Sequence, residues 1–247
     1  MSFHKVVARW TVLPVVLAVP CGRAQTTGFQ YAIAQTFALR QEGKGAGANL
    51  QLLMDARLSK SLQKDLWGKG DWSFVFPPDS DAYREFSQHP PVKSKLQIVS
   101  SAGRMVAERE LETPLATLQA WNPTTERGQL FLLTQDYSAG AGSYNGPVTS
   151  LIMIAGAAFY EVKALDMESR RQKPIRLAKS LKSDWRIVER EGRPEILSAS
   201  CHPSANGKFV IDYSRYSFDG TQWVEYKREV DGFWESDQPF PKSPVFH

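Results

Sequence analysis

Apolar and polar residues alternate with a period of two over much of this chain, most clearly across residues 208–230, KFVIDYSRYSF-DG-TQWVEYKREV. Successive strand side chains point to opposite faces, so this period marks strands with one buried face. Asp219-Gly220 between two such runs predicts a hairpin with a two-residue turn, because that turn requires positive φ at both central positions. The turn sets a register in which Phe218 faces Thr221, Tyr213 faces Tyr226, Tyr216 faces Trp223 and Asp212 faces Lys227. Phe209, Ile211, Tyr213, Val224, Tyr226 and Val230 then form a core face. Tyr216 and Trp223 sit together on the more polar face, either covered by the tail or available as a contact pair.

The same reading places strands at residues 29–40, 50–57, 72–76, 95–100, 105–110, 115–121 and 130–134. Residues 148–154 are apolar on both faces and should be a central strand, followed by strands at 159–165, 175–181, 185–188 and 196–200. Two short helices are expected in the N-terminal half. One ends at Gly68; the other is capped by Asp79 or Ser80 and stops before His89-Pro90-Pro91. The tail from Gly232 carries Phe233, Trp234 and Phe240 among three prolines, so it cannot be a regular strand and should pack as an extended strap. The fold class is mainly β, with antiparallel meander or sandwich-like sheets in two halves. Residues 122–128 (NPTTERG) read as a linker, which divides the chain into an N-terminal β-rich domain, 25–126, and a C-terminal antiparallel β domain, 127–247.

Residues 1–24 stand outside this pattern. Lys5 and Arg9 precede a short apolar run, and Gly22 and Ala24 fit a cleavage site after Ala24, so the segment reads as a signal peptide. The apolar run is too short to span a bilayer, which needs about 20 residues. A competing cut would leave a lipid anchor on Cys21, but Pro20 stands where a small residue is wanted. Export changes the charge argument: loss of Lys5, Arg9 and Arg23 takes the net charge from +4 to about +1, which removes the case for a nucleic-acid partner. No other segment is long and apolar enough to span a membrane. One cysteine, Cys201, then remains, so stability comes from a core and not from disulfides. No Asn-x-Ser/Thr acceptor with a permitted middle residue occurs, which favours a bacterial periplasm over a eukaryotic secretory route, with the extracellular space as the alternative destination.

Candidate chemistry is sparse. Residues 135–147, QDYSAGAGSYNGP, have the spacing GxGxxxG, and a strand follows where a phosphate-binding loop would need a helix. A loop of this kind displaying Asp136, Tyr137, Ser143, Tyr144 and Asn145 has the composition used in protein or sugar recognition. Cys201 and His202 are adjacent, but strand neighbours point to opposite faces, which places the imidazole badly for activating the thiol. Histidines are scattered and no paired-ligand spacing is present, so neither a metal nor another cofactor is implied. A glycosidase would need two facing carboxylates, such as Asp136 with Glu225 or Asp184. The expectation is an exported cell-envelope β-protein that binds a protein or polymer partner without catalysis, of the inhibitor or immunity type. The alternatives are a cell-wall or polysaccharide hydrolase and a purely structural envelope domain.

Overall fold

The structure, a computed structural model, describes residues 31–39, 47–69, 72–121, 128–138 and 142–246. The expected signal peptide with Cys21, the linker residues 122–127 and Gly140 lie outside the described residues. The chain runs β1 (Tyr31–Leu39), β2 (Ala48–Asp55), α1 (Lys60–Leu66), α2 (Asp81–Gln88), β3 (Lys95–Ser100), β4 (Met105–Glu110), β5 (Ala116–Trp121), β6 (Gln129–Asp136) and β7 (Pro147–Ala155). It continues through β8 (Ala158–Glu161), β9 (Lys163–Asp166), β10 (Gln172–Pro174), β11 (Arg176–Ala178), β12 (Ser183–Arg190), β13 (Arg193–Pro203), β14 (Phe209–Phe218) and β15 (Trp223–Asp231). The fold is mainly β, its sheets are antiparallel apart from one short pairing, and both described helices lie in the N-terminal half.

Among the described residues, three sheets stack face to face. The first is the meander β1-β2-β3-β4; the second has the order β11-β7-β6-β5, with β8 also on β7; the third has the order β10-β9-β15-β14-β13-β12. Leu50, Leu52, Leu96 and Ile98 of the first sheet pack on Phe131, Leu133 and Ile152 of the second. The opposite face of the second sheet, with Leu130, Leu132 and Leu151, packs on Ile196, Tyr216 and Trp223 of the third. Strands β6 and β7 are apolar on both faces because they are the middle strands of the middle sheet, as residues 148–154 imply. The boundary expected after residue 126 falls inside the β5–β6 hairpin, which pairs Ala116 with Gln135 through Trp121 with Leu130. Residues from both expected halves share one core.

Both helices begin at a serine cap: Leu62 N–H donates to Ser59 Oγ (3.2 Å) and Tyr83 N–H to Ser80 Oγ (3.1 Å). Leu66 of α1 and Phe86 of α2 pack with Met54 of β2, Leu58 and Leu115 in a further apolar cluster. Residues 72–76, read as a strand, instead begin with a 3-10 turn at Trp72–Phe74. The Trp72 ring packs edge-on against Tyr83 of α2, at 5.2 Å between centroids, and that contact overrides the local β preference.

The C-terminal hairpin forms, with a different register. Phe218 pairs with Trp223, not Thr221, so every pairing shifts by two residues: Tyr213 faces Arg228 and Tyr216 faces Glu225. The cause is the turn. Asp219 Oδ1 accepts from the backbone N–H of Thr221 (2.8 Å) and Gln222 (2.9 Å), so the side chain closes a four-residue loop in place of a two-residue turn. An even shift leaves each side chain on its expected face. Both faces are covered except towards the end of β15, where Val230, expected in the core face, is exposed. One meets the second sheet, and the other, with Leu197, Ala199, Cys201, Ile211 and Tyr213, lies under Trp234 and Phe246 of the tail. Residues 232–246 contain no regular element and lie across the sheet as a strap. No helix among the described residues is long and apolar enough to cross a membrane.

Candidate functional site

The glycine-rich loop leaves β6 at Asp136 and returns at Pro147, which is paired with it. Its base turns inward. Asp136 is buried; its Oδ2 accepts from the backbone N–H of Gly68 (2.7 Å) and its Oδ1 from that of Ser138 (3.0 Å). These two donors offset part of the cost of burying a carboxylate and tie the end of α1 to the loop. Tyr137 is half-buried, and the Gln135 amide donates to its hydroxyl oxygen at 3.0 Å. Burial, with a hydrogen bond to the Glu112 carboxylate, pushes the phenol up to about 12. Ser143, Tyr144 and Asn145 behave differently: Ser143 is half-buried and the other two are exposed. Of the five residues nominated from sequence, Asp136 is buried, Tyr137 and Ser143 are half-buried, and Tyr144 and Asn145 are exposed.

Gly146 fixes where the outward part sits. A Cβ there would lie 1.8 Å from the carbonyl oxygen of Lys179, so only glycine permits the approach. The contact is extended by Lys179 N–H donating to Pro147 C=O (2.9 Å) and Lys182 N–H to Ser143 C=O (3.1 Å). Lys182 is 6 % exposed. Its ammonium lies 2.6 Å from Glu235 Oε1 and 3.7 Å from the centroid of the Phe233 ring, both in the strap. Ser236 N–H donates to Leu181 C=O at 2.8 Å. Three segments thus meet at Lys182, and each presents one large apolar side chain to solvent: Tyr144 at 55 % exposure, Leu181 at 41 % and Phe233 at 52 %. Leu181, Lys182 and Glu235 carry no sequence signal for this role. Their placement depends on how the strap crosses the sheet.

Tyr216 and Trp223 are not a surface pair. Both are buried between the second and third sheets, where Trp223 packs 5.5 Å from Trp121. The second sheet covers them, and the strap lies on the opposite face. Beside them is an ionic cluster that has no counterpart in the sequence reading. Strand β15 pairs in parallel with β9 and sets Glu225 against Asp166, two buried carboxylates side by side. Lys227 reconciles them, with Nζ 2.8 Å from Asp166 Oδ2 and 3.4 Å from Glu225 Oε2, and Lys173 adds a contact of 2.7 Å to Asp166. Ser214 Oγ and Tyr216 Oη each donate to Glu225 Oε1 at 2.9 Å. Hydrogen bonds from Lys173, Lys227 and the Ser169 backbone hold Asp166 well below the usual carboxylate range. Burial and the Glu225 charge push the Tyr216 phenol upward. A carboxyl held that low and a phenol pushed that high are poor proton carriers near neutral pH, so their arrangement suits structure better than acid–base turnover.

The remaining candidates are also engaged. Cys201 is fully buried under the strap, and the Trp234 N–H points at its Sγ from 3.4 Å. His202 lies on the other face of β13; its Nε2 is 2.7 Å from Asp212 Oδ2 and its Nδ1 is 3.1 Å from the carbonyl oxygen of Pro203. Both ring nitrogens face acceptors, which raises its pKa through Asp212 first, and leaves no free nitrogen to activate a nucleophile. Asp136, Glu225 and Asp184 take part in separate sets of contacts, with backbone amides, with Tyr216 and Lys227, and with Lys179, respectively. No group of three or more potential metal ligands occurs among the described residues. No family model, curated protein or solved structure matches this chain.

Proposed function

We propose that this chain is an exported cell-envelope protein that binds a protein or polymer partner without catalysis, through the surface formed by Tyr144, Leu181 and Phe233, with Ser143 and Asn145 beside Tyr144. One observation carries the reading: three segments distant in sequence are fastened together at Lys182, and each of them exposes a large apolar side chain there. Scattered exposed apolar residues need no explanation, but side chains on mutually fixed backbones lose little entropy on binding and make efficient anchors. Tyrosine and phenylalanine on such a frame suit a protein surface or the faces of sugar rings. The engaged state of Asp166, Tyr216, His202 and Cys201 supports binding over turnover. Within this reading, an inhibitor or immunity-type factor is the subtype in which the partner is itself an active protein.

The test is a double substitution, Tyr144→Ala with Phe233→Ala. Tyr144→Ala should barely move the unfolding midpoint, and Phe233→Ala, which also removes the ring stacked on Lys182 and packed on Phe209, should cost about 1 kcal/mol and leave the chain folded. Capture of the partner from envelope extracts should fall on the order of tenfold or more. Undiminished capture by a folded double variant would remove this surface from consideration.

A further inference from the structure

We infer that residues 233–246 open as a unit while the three sheets stay folded, uncovering the outer face of the third sheet. The strap joins no sheet. Among the described residues, hydrogen bonds between it and the rest of the fold occur only at its start, where Gly232 N–H donates to Phe209 C=O, Trp234 N–H to Cys201 Sγ, Ser236 N–H to Leu181 C=O and Lys182 Nζ to Glu235. From residue 237 onward no described hydrogen bond ties it down; Trp234 Nε1 reaches forward within the strap, to Pro239 C=O at 3.0 Å. Pro239, Pro241 and Pro244 have no N–H to offer a neighbouring strand.

Side chains hold the strap instead. Trp234 and Phe246 are buried on the sheet, Phe240 lies under the Arg186 guanidinium at 4.4 Å, and Phe246 lies 5.0 Å from that of Arg215. Lys182, bonded to Glu235 and stacked on Phe233, is the latch at its start. A segment held by side chains and lacking a hydrogen-bonded ladder can open at lower free energy than the sheets beneath it. The strands it covers keep every ladder bond when it leaves, and what they expose is Leu197, Ala199, Cys201, Ile211 and Tyr213. A partner seated on Phe233 would touch the latch; that consequence rests on the binding reading above, whereas the opening does not.

Cys201 is a built-in reporter, since it is fully buried beneath Trp234. The experiment uses the full chain with Cys21→Ser, so that Cys201 is the only thiol, and follows its reaction with a disulfide reagent through increasing urea without any partner. Well below the unfolding transition, labelling should rise with urea at a slope clearly smaller than that of global unfolding, because strap opening exposes only the cluster under the strap and leaves the cores between the sheets buried. Glu235→Gln should raise that rate roughly fivefold. Leu133→Ala, which weakens the buried core between the first and second sheets, should lower the unfolding midpoint and leave the rate at low urea unchanged. If labelling instead climbs with the full urea dependence of unfolding, and Leu133→Ala accelerates it in step with lost stability, the strap opens only with the whole fold.

Discussion

Gly146→Ala is expected to lower stability by about 3 kcal/mol or more and to pull the glycine-rich loop off the segment beneath it. The added Cβ would meet the carbonyl oxygen of Lys179 at 1.8 Å, its carbonyl carbon at 2.9 Å and Ser180 Cα at 3.3 Å. All three are backbone atoms, so no side chain can swing aside. The strand–loop junction or residues 179–180 must move, and the bond from Lys179 N–H to Pro147 C=O goes with them. Gly142→Ala is the matched comparison, because its Cβ would meet only the Asn145 side chain, at 2.8 Å from Nδ2. That neighbour can rotate, and a cost under about 1 kcal/mol is expected. Urea midpoints of the two variants decide the point; a Gly146→Ala variant as stable as the parent would mean that the loop is not docked there.

Asp166→Ala should cost about 3 kcal/mol, since it strips Lys173 and Lys227 of their shared acceptor and frees the backbone N–H groups of Glu168 and Ser169. Both lysines are partly exposed and can turn to water, which keeps the figure at the lower end for a broken buried pair. The cluster also gives a signed pH dependence. The native carboxyl lies far below its unfolded value of 3.8, so its stabilisation is fully present above that value and is lost progressively as pH falls below it. Parent protein should therefore lose stability steeply between about pH 5 and pH 2, and Asp166→Asn should flatten that slope, as read from unfolding midpoints across the range. An unchanged slope would show that other carboxylates carry the acid sensitivity.

These effects arise where the sequence was least legible. Period-two alternation marked most strands, and apolar faces on both sides of residues 148–154 pointed to the middle of the stack. Faces of the C-terminal hairpin were legible for the same reason, while its register was not, because an Asp219 side chain bonded to two later amides widens the turn. The parallel pairing of Glu225 with Asp166 joins short strands far apart in the chain, and no local pattern encodes such a meeting. Glycine spacing singled out the right loop, yet it did not distinguish Gly146, whose need for glycine lies in Lys179 across the fold. Nor could it show that Asp136 turns inward to Gly68 while Tyr144 turns out. Lys182 is buried only because the strap crosses it, and a lysine between Leu181 and Ser183 otherwise reads as a surface residue.

The proposed binding surface is tested most directly by placing a photo-crosslinking amino acid at position 144 in the full-length chain, expressed in its native cell. Position 160 serves as the matched control. Tyr160 is similarly exposed, at 49 %, but lies on β8, which pairs with the far end of β7. The account predicts one discrete adduct from position 144, lost when Phe233→Ala is added, and none from position 160. No adduct at 144, or the same adduct from both positions, would contradict it.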